Sequence, residues 1–103
     1  MKMVNLYGHS VRSCTECGSC IETGVCVQGS PDDPVNEWFQ ETVDCDALIL
    51  ACPTSFANGS TEMLSYIDRV GFLCRHKLLL KHKLGAAVVA CNCSGDTGCF
   101  NAV

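Results

Sequence analysis

The sequence lacks several features that would assign it to common functional classes. Its longest nearly uninterrupted apolar run, residues 84–91, has eight residues, whereas a membrane-spanning helix needs about 20. It has no excess of positive charge, because seven basic and eleven acidic side chains give a net charge of -4, and this argues against nucleic acid as a partner. Residues 1–10 show no basic start followed by an apolar run, so no secretory signal is visible. We therefore predict a cytoplasmic protein with no membrane span.

The chain is also too short for two ordinary domains. It has 103 residues, a length that fits one domain with a modest core. Hydrophobic residues make up 48% of the chain and charged residues 17%, which excludes a disordered acidic tail. We expect residues 1–103 to form a single packed domain.

Cysteine is the residue type that the sequence has in unusual number. Ten of the 103 residues are cysteine, the level at which a short chain is suspected of being a chemical scaffold. Because thiols stay reduced in the cytoplasm, clustered cysteines there more often bind metal or do redox chemistry than form disulfides.

Three short strands are predicted from the apolar pattern. They lie at residues 3–7, 47–52 and 85–91. The second is wholly apolar, which is typical of a strand buried on both faces of a parallel sheet.

Two helices are predicted between these strands. The first has Asp33 as its N-cap and Pro34 at its first position, and ends near Asp44. The second begins at Ser60. Its apolar stripe comprises Met63, Leu64, Ile67, Val70 and Leu73. The alternating order of strands and helices implies an α/β domain.

The strongest chemical signal is a set of four cysteines within thirteen residues: Cys14, Cys17, Cys20 and Cys26. Their spacing is C-x2-C-x2-C-x5-C, with Gly18 and Gly24 allowing the loop 14–26 to fold inward. Four soft sulfur ligands from one compact loop suit an iron-sulfur cluster, whose metals spread the ligation over several corners.

Three other interpretations of this loop stay open. A structural zinc site is second, because such sites more usually use two cysteine pairs a dozen or more residues apart. The loop could also carry plain reduced cysteines or disulfides. A thioredoxin-type C-x-x-C fits less well, since that motif normally opens a helix and this segment shows no helical pattern.

The six remaining cysteines have ordinary explanations. Cys45, Cys52 and Cys91 fall at predicted strand ends, where a thiol behaves as a small buried apolar group. A second site made from Cys91, Cys93 and Cys99 is weakly supported, because three ligands with no nearby histidine rarely suffice.

Several motifs besides the cysteine loop occur in a recognisable order. Asp32 and Asp33 follow the loop, residues 45–53 form an Asp-Ala-apolar strand ending in proline, a helix contains Asp68-Arg69, and residues 83–87 read Lys-Leu-Gly-Ala-Ala. From residue 4 to its end, the chain resembles the iron-sulfur flavoproteins, a branch of the flavodoxin-like, NADPH-dependent FMN reductase superfamily.

The resemblance implies an FMN site at the carboxyl ends of the strands, where ligands bind in open α/β sheets. It also implies a [4Fe-4S] cluster on the four clustered cysteines. Two loops correspond to the flavin site, and the candidate residues are Pro53, Thr54, Ser55, Phe56, Asn58, Asn92, Ser94 and Gly95.

The chain departs from this family at both ends. The first strand, the phosphate-binding loop and the first helix of the family have no counterpart before Val4, and the last strand and helix are also missing. The resemblance therefore implies a partial flavodoxin-like, doubly wound parallel sheet, apparently truncated. We expect FMN binding to be impaired, because a phosphate needs converging N–H donors or a helix N-terminus.

The function implied by the resemblance is electron transfer. A complete protein of this kind would be an NAD(P)H-dependent FMN reductase-like oxidoreductase. No proton-transfer constellation is visible, so no catalytic residue is assigned. The basic segment 75–83 is a solvated face or a contact for an acidic carrier such as ferredoxin, and the resemblance implies homo-oligomers. The alternatives are a non-enzymatic zinc-binding or interaction module on the same cysteines, and an inactive fragment.

Overall fold

The computed structural model describes residues 1–55, 57–92 and 101. Three helices and three strands lie in this part of the chain. In chain order they are α1 (Ser19–Thr23), α2 (Val35–Asp44), β1 (Ala47–Ser55), β2 (Asn58–Gly59), α3 (Thr61–Arg75) and β3 (Leu84–Ala90).

The sheet is built around β1. Strand β3 pairs with it in parallel, with Ala47 opposite Leu84 and Pro53 opposite Ala90. Strand β2 pairs with its far end in the antiparallel sense, which gives the order β2-β1-β3. Helix α3 lies between the two parallel strands in the chain. The predicted α/β, partial flavodoxin-like class is confirmed.

Helix α2 ends at Asp44 as predicted, but its start differs from the prediction. It begins at Val35 with Pro34 as the N-cap and no capping side chain. The prediction that Asp33 caps this helix is wrong, because the Asp33 side chain is buried and pairs with Arg69 instead.

Helix α3 begins as predicted, with Ser60 accepting a hydrogen bond from the Met63 N–H at 3.3 Å. Its most buried face is displaced from the predicted stripe, since Leu64 and Ile67 are only partly buried. The buried residues of α3 are Met63, Tyr66, Arg69, Val70, Leu73 and Cys74.

Helices α2 and α3 pack against each other through buried side chains. The Thr42 and Tyr66 hydroxyl oxygens are 2.6 Å apart, and the Trp38 and Tyr66 rings lie 6.3 Å apart between centroids. Thr42 donates its one hydroxyl hydrogen to the Trp38 carbonyl at 2.7 Å, so Tyr66 is the donor to Thr42. Trp38 and Tyr66 belong, together with Cys52 of β1, to one apolar core.

The prediction that residues 47–52 are buried on both faces is wrong. Leu50 and Cys52 face the helices, whereas Ile49 on the opposite face is 62% exposed. Leu84 and Val88 of β3 are likewise exposed, at 76% and 55%. Within the described ranges, the helices therefore cover one face of the sheet only.

The predicted strand at residues 3–7 is also wrong. This segment has no regular secondary structure, and Met3 and Tyr7 are largely exposed. A strand is stabilised by pairing with a neighbour, and no described strand pairs with this segment. Leu6 alone packs against the core.

The predictions for the non-clustered cysteines are partly met. Cys52 is buried and Cys45 half-buried, whereas Cys91 is exposed, so the prediction of a buried apolar role is wrong for Cys91. Cys93 and Cys99 lie outside the described residues.

None of the helices in the described ranges combines the length and the apolar character that crossing a bilayer requires.

Candidate functional site

The four clustered cysteines line one pocket. Cys14, Cys17, Cys20 and Cys26 share it with several neighbours, and all four are thiols without a disulfide bond. Helix α3 contributes Arg69, Phe72 and Leu73 to its wall. Side chains spread over thirteen residues of sequence are thus gathered at one face of α3.

Two glycines shape the chain between these cysteines. Gly18 and Gly24 have φ angles of 78° and 75°, a left-handed conformation that glycine adopts without steric cost. Between them lies α1, and the Gly24 N–H closes it on the Cys20 carbonyl at 2.8 Å. The expectation of a segment without helix is wrong, and the argument it supplied against a thioredoxin-type motif no longer holds.

Helices α3 and α2 hold the two ends of the cysteine segment. The Cys14 N–H donates to Asp68 Oδ2 at 2.7 Å. At the other end, Asn36 accepts from the Cys26 N–H at 2.7 Å and donates to the Cys26 carbonyl at 2.8 Å. This paired bond needs Gly29 beside it, because a Cβ on Gly29 would collide with the Asn36 amide nitrogen.

A buried ion pair joins the cysteine pocket to the loop before α2. Arg69 Nη1 donates to Asp33 Oδ2 at 2.8 Å and to the Arg12 carbonyl at 2.9 Å. Arg69 Nη2 lies 3.1 Å from Cys26 Sγ. Burial lowers the pKa of Arg69, but its hydrogen bonds to Asp33 and Cys26 outweigh this and raise the pKa overall. Arg69 is therefore a permanent positive charge beside one of the four sulfurs.

The four thiols differ in their surroundings. Hydrogen bonding to the backbone and hydroxyl of Ser19 lowers the pKa of the exposed Cys17. Burial raises the pKa of Cys20, and the charges of Cys14, Cys26 and Cys17 raise it further. Four thiolates in one pocket repel one another, and a bound cationic centre would relieve that repulsion.

The donor set of the pocket is four thiols, which as thiolates are ligands of both iron-sulfur clusters and structural zinc. Within residues 1–55 and 57–92, no group of three or more His, Cys, Asp or Glu side chains is arranged to hold one metal ion. A polynuclear cluster accepts sulfurs set farther apart, because each thiolate binds a different iron. Arg69, which lines this pocket, has a buried Nε with no hydrogen-bond partner in the described part of the chain.

The residues predicted to bind FMN lie at the carboxyl edge of the sheet where they are described. Pro53, Thr54 and Ser55 end β1, and Asn58 in β2 pairs with Ser55. Asn92 follows β3 and is exposed. Because Pro53 lies opposite Ala90, the loops after β1 and β3 leave the same edge. The predicted residues Phe56, Ser94 and Gly95 lie outside the described residues.

A second cavity, of about 430 Å³, lies at the N-terminus of α3. No sequence motif marks it, since its wall comes from three separate segments. Its volume falls in the range of small-molecule sites. The lining residues are His9, Ser10, Val11, Arg12, Ser30, Asp32, Asp33, Thr61 and Glu62.

Sequence reasoning assigned no anchoring role to the residues that hold the cysteine segment in place, Asn36, Asp68 and Arg69, although Asp68-Arg69 is one of the motifs that carry the resemblance. One signal was available for Arg69, because it is a charged residue at helical spacing from Tyr66 and Leu73 on the buried face of α3. No local pattern marks Asn36 or Asp68, whose partners are 10 and 54 residues away.

Comparison with known proteins identifies similar sequences. The NADPH-dependent FMN reductase family matches residues 2–102. An iron-sulfur flavoprotein of Archaeoglobus fulgidus is 33% identical over 89 residues, which are 86% of this chain and 39% of that protein. An iron-sulfur flavoprotein of Methanosarcina thermophila is 31% identical over 85 residues, 82% of this chain and 43% of that protein. The chain thus spans about two fifths of the length of these relatives. No solved structure matches.

Proposed function

The chain belongs to the NADPH-dependent FMN reductase family, and from this premise we propose that it is an electron-transfer protein that holds a [4Fe-4S] cluster next to a flavin-binding sheet edge. The cluster ligands are Cys14, Cys17, Cys20 and Cys26. The observation that carries the proposal is that these four thiols line one pocket, at which α2 and α3 hold both ends of the cysteine segment.

The flavin site is proposed at the carboxyl edge of the sheet. Pro53, Thr54, Ser55, Asn58 and Asn92 support it by their position at that edge. When bound, FMN would supply two-electron chemistry and the cluster one-electron transfer. Helix α3 begins two residues after β2 ends at this edge, and unpaired N–H groups at a helix N-terminus suit a phosphate.

We propose that these 103 residues alone bind FMN weakly. Asp32 and Glu62 line the cavity at the start of α3, and their negative charges oppose a phosphate there. Titration with FMN, followed by quenching of flavin fluorescence, measures the affinity. Saturation at nanomolar FMN would contradict this proposal without affecting the cluster.

Anaerobic reconstitution tests the proposed cluster. We expect uptake of about four irons and four sulfides per chain, with an absorption band that bleaches on reduction. Cys26→Ser should lower the iron content, whereas Cys45→Ser, outside the pocket, should not. One tightly held zinc without sulfide would instead support the zinc-binding module, and uptake of no metal at all would support an inactive fragment.

The proposed redox partner is an acidic one-electron carrier such as ferredoxin, with NAD(P)H as the proposed donor to the flavin. Arg75, His76, Lys77, Lys81 and His82 are exposed, and the chain has no acidic residue between Asp68 and Asp96. Phe72 in the wall of the cysteine pocket contacts His76, with ring centroids 5.2 Å apart. The basic segment 75–83 therefore begins beside the proposed cluster.

Three further proposals concern the domain, the cellular compartment and the oligomeric state of the chain. The buried apolar residues of the described part form one cluster, which supports a single domain over residues 1–103. The four unbridged thiols suit a reducing compartment such as the cytoplasm. The exposed apolar face of the sheet is compatible with the homo-oligomer that the resemblance implies, and sedimentation measures the oligomeric state.

A further inference from the structure

Arg69 is the one cationic side chain in the wall of the cysteine pocket among the described residues. Its side chain is 1% exposed, so water does not screen its charge as it screens a surface arginine. Nη2 points to Cys26 Sγ at 3.1 Å. The closest sulfur of the proposed cluster thus has a full positive charge within hydrogen-bonding distance.

The contacts of Arg69 fix this charge in place. Nη1 is held by Asp33 at 2.8 Å and by the Arg12 carbonyl at 2.9 Å. The guanidinium is planar, so two bonds at Nη1 orient Nη2 as well. Because Arg12 and Asp33 lie on either side of the cysteine segment in the chain, the orientation of Nη2 depends on the whole loop being closed.

We propose that Arg69 is a positioning residue that raises the reduction potential of the cluster through its hydrogen bond to Cys26, and that Asp33 opposes it. The inference rests on the proposed function. Reduction by a one-electron reductant adds one electron to the cluster, and no bond is formed or broken. A donor and a positive charge at a ligand sulfur stabilise the more negative, reduced state, whereas the Asp33 carboxylate destabilises it.

Replacing Arg69 and replacing Asp33 should therefore shift the reduction potential in opposite directions. Arg69→Gln should lower the potential, reducing the equilibrium constant for reduction about tenfold, which is about 59 mV for one electron. Asp33→Asn should raise it. Arg75→Gln removes the same charge from the exposed end of α3 and should change the constant less than about twofold, because solvent screens it. General damage to the loop would not produce opposite shifts.

The experiment compares the reconstituted chains in an anaerobic optical titration with dithionite and mediators, after iron and sulfide have been counted in each. If Arg69→Gln does not fold, Asp33→Asn/Arg69→Gln removes both buried charges together, which is far less damaging than removing one. This double variant also lacks the Arg69 hydrogen bond to Cys26, so the reduction potential of its cluster should remain below that of the wild type.

Unchanged potentials in variants with full iron content would overturn the role of Arg69 and leave the proposed function standing. Shifts of the same sign for Arg69→Gln and Asp33→Asn would overturn it too. A wild-type chain that takes up neither iron nor sulfide would overturn the proposed function, and this inference with it.

Discussion

Arg69 and Asp33 form a buried ion pair on which the stability of the fold depends. Both side chains are almost completely buried, at 1% and 3% exposure. Asp33 Oδ1 and Arg69 Nε have no hydrogen-bond partner within the described part of the chain. Since buried charges are stable only when paired, each residue depends on the other for its place in the fold.

Asp33→Asn should therefore destabilise the protein by about 3–5 kcal/mol, the usual cost of removing one partner from a buried ion pair. Asp32→Asn is the matched control, because Asp32 is exposed, and it should change the free energy of unfolding by less than about 0.5 kcal/mol. Urea titrations of the three proteins measure both values. Equal stability of the two variants would contradict the buried role of Asp33.

Tyr66 provides a second prediction for a single residue. Tyr66→Phe removes the hydroxyl that donates to Thr42 and should cost about 0.5–1.5 kcal/mol. The control Tyr7→Phe changes a side chain that is 80% exposed and should cost nothing measurable. A double variant with Thr42→Val separates the pair energy from the loss of the Trp38 bond.

Tyr66 also makes the stability of the protein depend on pH. Burial raises the pKa of Tyr66 above its usual 10.0, although the Thr42 bond opposes this. The folded protein thus holds a proton that the unfolded chain releases, so this contribution is complete below about pH 10 and is lost as pH rises through the folded pKa. Burial also raises the pKa of Cys74, which adds to the alkaline loss. Tyr66→Phe should flatten, and not abolish, the fall in stability between pH 9 and 11 (about one unit either side of the Tyr value).

At the level of elements, the sequence predicted α2, β1, α3 and β3, because each has enough residues for its apolar period to be visible. It did not predict α1, whose five residues are barely more than one turn. It wrongly predicted a strand at residues 3–7, because the composition of a segment does not reveal whether a neighbouring strand is present. The cysteine spacing was visible, but the helix contacts that hold it are between distant residues.

Replacing either of two glycines by alanine should change stability, in opposite directions. Gly29→Ala forces Asn36 away from Cys26 and should cost about 0.5–1.5 kcal/mol, the usual net value of a hydrogen bond, because these bonds are part-buried. Gly71→Ala, inside α3, meets no heavy atom within 4 Å and should stabilise by about 0.5–1 kcal/mol, because alanine favours helix. Thermal unfolding measures both, and iron content after reconstitution should fall for Gly29→Ala only. Changes of the same sign would contradict the Asn36 contact.

At the scale of the whole molecule, charge is distributed unevenly. The chain has a net charge of -4, yet four of its seven basic residues lie in the segment 75–83. Lys83 belongs to this segment in sequence only, because its Nζ is bound to the carbonyls of Val43 and Cys45. The exposed positive charge is therefore that of Arg75, Lys77 and Lys81. Composition alone could not separate the structural lysine from the exposed ones.

Reversing this charge should slow electron exchange with an acidic carrier. Lys77→Glu/Lys81→Glu should reduce the bimolecular rate with ferredoxin about tenfold at low salt, because steering depends on charge complementarity. The difference should shrink as ionic strength rises. Lys2→Glu is the control for net charge, because it changes the charge by the same two units as Lys77→Glu alone and lies outside the basic segment in sequence. Equal slowing by Lys2→Glu and by Lys77→Glu would indicate an effect of total charge and not of a docking surface.

Helix α3 borders both the cysteine pocket and the larger cavity. Thr61 and Glu62 at its start border the larger cavity, and Arg69 at mid-length borders the cysteine pocket. Glu62 and Arg69 are seven residues apart, which is about 10 Å along a helix axis. A hydrogen-bonded helix resists compression, so the distance between these two residues along the helix axis is constant. An electron passing between occupants of the two cavities would therefore have α3 as a common wall, with Glu62 beside one occupant and Arg69 beside the other.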